Sequence, residues 1–278
     1  MGYLLLAICC SAMISILMRL SSGKVKSHFS MLAANYLVCG ILGAVYADFS
    51  LFSVHTDGFG LTVLLAVVNG AMLLGGLILL QISTPKNGVV LSSLFMKLGL
   101  LVPFAVSILF FGEMPTWLQV VGFCLAVAAI VVFNLKKDDG KRRFGAGLLL
   151  MLLLSGGVDA VIKTFEELGP AALSDHFLGL SFGVAFVLCM GLVLFKKERP
   201  DVKAVLYGGG IGIVNFFSSK FVLAALGQIP AVVLFPTYSV ATMLVVTLCG
   251  ILLFKERLEK RQWLAFAGVI VALVLLNI

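Results

Sequence analysis

Ten stretches of about 20 residues, each almost free of charge, follow one another with only short connections between them. They cover 2–21, 28–47, 59–82, 87–110, 116–135, 145–165, 173–195, 202–226, 230–253 and 262–278. At 1.5 Å of rise per residue, a helix of that length crosses the hydrocarbon core of a bilayer. A soluble domain is about 45–50% apolar and about 25% charged. This chain of 278 residues is 61% hydrophobic and 12% charged, more apolar surface than a soluble core can hide. The solvent is therefore lipid, where backbone amides must be bonded internally and only helices or closed barrels can span. Uninterrupted apolar runs of this length predict an all-α integral membrane protein with ten transmembrane helices. The first run, "MGYLLLAICCSAMISILMRL", has no basic n-region and no small-residue cleavage site, so it reads as a retained span and not as a signal peptide.

The charges sort by connection. Of 20 Lys and Arg, seventeen fall in or beside the odd-numbered connections, with clusters at 136–143, 196–203 and 255–261 and a smaller group at Arg19, Lys24 and Lys26. The even-numbered connections carry mainly acids: Asp48, Asp57, Glu113, Glu166, Glu167 and Asp175. The positive-inside rule then puts the odd connections in the cytoplasm and both termini outside. The basic clusters also suit anionic lipid head groups. Nothing in their pattern suggests a nucleic acid.

The two halves of the chain resemble each other. A constant offset of 143 residues pairs Ile108 with Ile251, Phe111 with Phe254, Glu113 with Glu256, Gln119 with Gln262 and Asn134 with Asn277. Smaller drifts pair Arg19 with Lys163 and Asn69 with Asn215. Five spans are an odd number, so the second half enters the membrane in the opposite sense. This predicts two inverted five-helix repeats, 1–138 and 139–278, with a solute site near mid-membrane where they meet.

The motifs "FFGEMPTWLQVVG" and "LFKERLEKRQWLAFAGVIVALVLL", one closing each half, resemble the ten-helix EamA-like permeases of the drug/metabolite transporter superfamily. With the basic residues late in the first and sixth spans, the resemblance covers the whole chain. It implies a central cavity built mainly from the first, third, fourth, sixth, eighth and ninth spans. Many bacterial relatives are drawn with both termini in the cytoplasm, the reverse of what these loop charges indicate.

Three basic residues stand inside predicted helices: Lys97, Lys163 and Lys220. Lys97 is about ten residues, roughly 15 Å, from either edge of its span, too deep to snorkel. A lysine at that depth costs about 2.5 kcal/mol or more unless it finds water or a partner. Such a group lines a solute path or pairs with an acid, here Asp159. Lys220 lies nearer the outer edge and can snorkel. Lys97 aligns with Val240 and Lys220 with Leu74, so both break the repeat, as a site for an asymmetric solute requires. Asp159 and Lys163, four residues apart, suit a helical ion pair or a role in proton coupling. Asn69 and Asn215 bond between helices or contact the solute, and Tyr36 and Tyr238 either pack or line the cavity. Arg19 reads as an interface anchor. Pro103 and Pro236 free the carbonyls of Gly99 and Val232, which is tolerable only where a cavity or a neighbouring helix meets them.

Enzymatic apparatus is absent from the sequence. There is no HExxH, GxSxG or Walker A motif, "GGGIG" at 208–212 follows no strand, and the histidines His28, His55 and His176 stand at helix starts or in a loop. The six cysteines have no metal-ligand spacing. The expectation is a carrier with no cofactor or metal, monomeric or homodimeric, in a bacterial inner membrane. Its solute is a small organic metabolite, anionic or zwitterionic, moved by alternating access and driven by protons or a counter-solute. Substrate contacts are expected from Lys97, Lys220, Asn69, Asn215, Tyr238 and Tyr36, and coupling from Asp159 and Lys163. The alternatives are an exporter of cationic drugs or amines, and a flippase or non-transporting scaffold.

Overall fold

Each apolar run becomes one helix. The structure, a computed structural model, describes residues 1–25, 27–51, 57–87, 89–134, 146–198, 201–255 and 259–278. Among them are ten helices and no strand: α1 (Gly2–Ser21), α2 (His28–Tyr46), α3 (Phe59–Asn87), α4 (89–111), α5 (Trp117–Asn134), α6 (Ala146–Leu168), α7 (Ser174–Phe195), α8 (Val202–Leu226), α9 (Ala231–Phe254) and α10 (Lys260–Leu276). Nine are long and apolar enough to cross a membrane. The tenth, α10, has 17 residues, the lower limit for a span. Large apolar side chains such as Leu5, Leu109, Phe195 and Leu252 lie on their outer surfaces, as lipid requires. The basic cluster at 136–143, with Lys26, His55, Arg199, Glu256 and Arg257, lies outside the described residues.

α4 is not uniform. An α-helical segment, Val89–Lys97, gives way to a 3₁₀ turn at Leu98–Leu100 before the α-helix resumes at Leu101–Phe111. Pro103 explains the turn, because it has no N–H for the carbonyl of Gly99 and its ring crowds that carbonyl.

At three positions 143 residues apart the chain does the same local work in both halves. Gly112 ends α4 in the left-handed conformation (φ 68°), and Lys255, 143 residues later, ends α9 in the same way (φ 53°). Gln119 and Thr116 form a reciprocal capping box at the start of α5, and Gln262 and Glu259 form one at the start of α10. The side chains of Asn134 and Asn277 each donate to the carbonyl four residues back, at 2.8 and 2.7 Å, in the last turns of α5 and α10. The repeated motif is thus a helix stop followed by a helix start.

The chain divides into two compact units, and each draws on both sequence halves: Met1–Leu74 with Thr164–Gly227, and Gly75–Lys163 with Gln228–Ile278. Lipid removes the hydrophobic drive between helices, so close backbone packing has to hold them. In the first unit α2 meets α7 at Gly43 and Gly179, where a Cβ on Gly43 would fall on Gly179 Cα and 2.8 Å from its nitrogen. Gly208 and Gly212 of α8 likewise press on α2, whereas Gly210 faces open space. In the second unit Ala126, Ala129 and Ile130 of α5 are buried in one core with Val269, Ala272 and Leu276 of α10. Phe104 of α4 stacks on Phe123 of α5, ring centres 3.7 Å apart.

Candidate functional site

In the second unit the interrupted α4 lies against α6. A Cβ on Gly156 would land on the carbonyl oxygen of Gly99, the group freed by Pro103, and 2.7 Å from Val102 Cγ2. The Ser155 hydroxyl donates to the Met96 carbonyl at 3.1 Å. The Gly99 carbonyl therefore lies against the backbone of a neighbouring helix. Lys97 closes the first segment of α4, directly before the turn, and its side chain is exposed. Asp159, one turn beyond Ser155 on α6, is half-buried. Although the two occupy one unit, no ion pair or hydrogen bond joins Lys97 to Asp159. The counter-ion expected for Lys97 is not in place.

Lys163 meets a carboxylate other than the expected Asp159. Its ammonium lies 2.9 Å from Glu113 Oε1 in a pair that is nearly sealed, the two side chains being 3% and 14% exposed. Glu113 Oε2 accepts from the backbone N–H of Val232 at 2.9 Å, and the Phe111 ring stands 5.8 Å from the ammonium. One carboxylate thus ties the end of α4 to α6 and to the first turn of α9, whose unbonded N–H groups favour a negative partner. The left-handed turn at Gly112 delivers Glu113 to that position. Its place in a short loop hid this role from the sequence.

In the first unit, Lys220 of α8 pairs with Asp175 in the first turn of α7 at 2.6 Å and lies 3.8 Å from the centre of the Tyr46 ring. Asn215 of α8 donates to Asn35 Oδ1 of α2 at 3.3 Å, the interhelical bond that asparagines in lipid are expected to make. Asn35 was not singled out from the sequence, although an amide inside an apolar run was there to be seen. Asn69 of α3 is buried, and its Oδ1 has no hydrogen-bond partner among the described residues. Ser181 of α7 is a second orphan of that kind; its carbonyl faces Gly70, the residue after Asn69. Tyr36 is 2% exposed and stacks on Phe182, so its ring packs α2 against α7. Tyr238 of α9, in the second unit, is half-buried.

Ten apolar helices with ammonium, carboxylate and amide groups set into their spans are the frame of a multispan membrane protein. Residues 145–278 match the EamA-like transporter family. A solved crystal structure of a protein 15% identical to this one has the same fold, with a TM-score of 0.73 over 98% of this chain and 94% of that one. The second half of the chain is thus similar to EamA-like transporters, and nearly the whole chain shares the fold of the solved structure. An uncharacterized protein of Haemophilus influenzae is 24% identical over 95% of this chain and 93% of its own length. The glucose uptake protein GlcU of Staphylococcus xylosus is 27% identical over 180 residues, 60% of each chain.

Proposed function

We propose that this protein is a secondary active transporter that moves a small anionic or zwitterionic metabolite across a bacterial inner membrane by alternating access, with both termini outside. Lys97 carries the reading. It is an exposed ammonium inside the span Ser92–Phe111, beside a break in its helix, with no ion pair to Asp159 of its own unit. An ammonium at that depth is stable only where water or a solute anion reaches it. Lys97 then binds the anionic group of the solute, and Asp159 of the same unit meets its cationic group or carries a coupling proton. The 3₁₀ turn and Pro103 supply the bend point that a gating helix needs. The name of the staphylococcal relative supports a second reading, uptake of a neutral sugar.

Thermal stabilisation of the purified protein by anionic, zwitterionic and cationic metabolites and by glucose distinguishes the readings. Carboxylate-bearing solutes are expected to stabilise it, and Lys97→Ala should weaken their binding at least tenfold, equivalent to about 1.4 kcal/mol, while the protein still inserts and folds. Stabilisation by glucose alone, undiminished in Lys97→Ala, would favour the sugar reading and remove Lys97 from the site. Loss of expression with normal binding in the surviving fraction would assign Lys97 a structural role.

A further inference from the structure

Beside the Lys220–Asp175 pair, within the first unit, lies a cavity of about 290 Å³. Phe165, Leu178 and Leu223 form its apolar wall, and Glu166, Asp175 and Lys220 are its charged lining. The volume is near the small end of ligand sites, about 300 Å³. We infer that this cavity binds a small zwitterion, a molecule carrying an ammonium and a carboxylate a few bonds apart on an apolar body, which docks by opening the Lys220–Asp175 pair.

The argument is one of charge balance. Both partners keep more than a quarter of their side-chain surface open, 29% for Lys220 and 27% for Asp175. An ion pair that exposed contributes little, so opening it costs little. A monoanion entering the cavity gains Lys220 but strands Asp175, and a monocation does the reverse. A zwitterion gives each a new partner and leaves the net charge unchanged. Each residue also keeps a second support while the pair is open. Tyr46 holds the Lys220 ammonium on its ring face, and Asp175 stands in the first turn of α7, where the helix dipole favours negative charge. Glu166 adds a second carboxylate to the lining and favours the ammonium end, and the apolar wall receives the solute body. The site's purpose rests on the transport reading, as a first stop for the solute, but its occupancy can be measured without transport.

The test uses the full chain in nanodiscs and three isosteric probes: leucine, 4-methylpentanoate, which lacks the ammonium, and 3-methylbutylamine, which lacks the carboxylate. Leucine is expected to bind saturably, and each truncated probe at least tenfold more weakly. Lys220→Met should reduce leucine binding at least tenfold. Leu223→Trp, which fills the cavity and leaves both charges in place, should do the same with the unfolding temperature retained. Equal binding of the three probes, no saturable binding of leucine, or leucine binding undiminished in folded Leu223→Trp each overturns the proposal. Lys97→Ala separates the two proposals. If leucine binding survives Leu223→Trp and is lost in Lys97→Ala, the cavity is not the site and the reading built on Lys97 stands; the opposite pattern retains the cavity and removes Lys97.

Discussion

Lys163→Met is expected to be among the most destabilising single substitutions in this chain, at about 3 kcal/mol, because it leaves the Glu113 carboxylate in a nearly sealed site without its cation. Unfolding in detergent, followed by tryptophan fluorescence or scanning calorimetry, measures the loss. Glu113→Gln should cost a comparable amount, since it strands the buried Lys163 ammonium and turns its NH2 group toward a donor, either that ammonium or the Val232 N–H. The double substitution should be milder than the sum of the two, because removing a buried pair together leaves no stranded charge. Strict additivity would show that the 2.9 Å contact couples nothing. A double mutant as stable as the parent would show that the pair adds specificity to the join of α4, α6 and α9 without adding stability.

Gly156→Ala should cost about 1–3 kcal/mol, a large effect for one methyl group. The new Cβ would collide with the Gly99 carbonyl and Val102, which are backbone and a branched side chain that cannot swing aside, so α4 and α6 would have to separate. Gly210→Ala is the control. It faces open space in the interior of α8, where alanine is the better helix former by about 0.5–1 kcal/mol, so its expected sign is opposite. The pair of variants therefore measures helix crossing apart from helix propensity. Because Lys97 sits two residues before Gly99, Gly156→Ala should also weaken solute binding at the Lys97 site, and binding isotherms on folded protein check this. Equal stability of the two alanine variants would mean that the crossing is looser than its geometry.

The helices were legible because a span is a property of one segment. Apolar run length alone places α1 at Gly2–Ser21 and α8 at Val202–Leu226, the same limits as the runs 2–21 and 202–226. The local roles of the paired positions were legible for a similar reason. Gln119 and Gln262 close capping boxes, and Asn134 and Asn277 bond to their own last turns, jobs completed within four residues of chain. Partners were harder to see. Asp159 is four residues from Lys163 along the chain, yet Glu113, fifty positions away, is the carboxylate it meets. Asp175 read as a loop acid and holds Lys220, and Asn35 drew no notice and holds Asn215.

What the amino-acid order determined by itself is the solvent, the number of spans and, to within about five residues, where the helices start and stop, because transfer into lipid and capping are local. The tertiary structure decided which charges are neutralised and which are left for a solute. Glu113 takes Lys163, Asp175 takes Lys220, and Lys97 stays apart from Asp159 although the glycine crossing of α4 and α6 brings their helices together. The reason is range: in a medium of low dielectric an ion pair depends on a few ångströms of approach between distant segments, and only helix packing sets that distance.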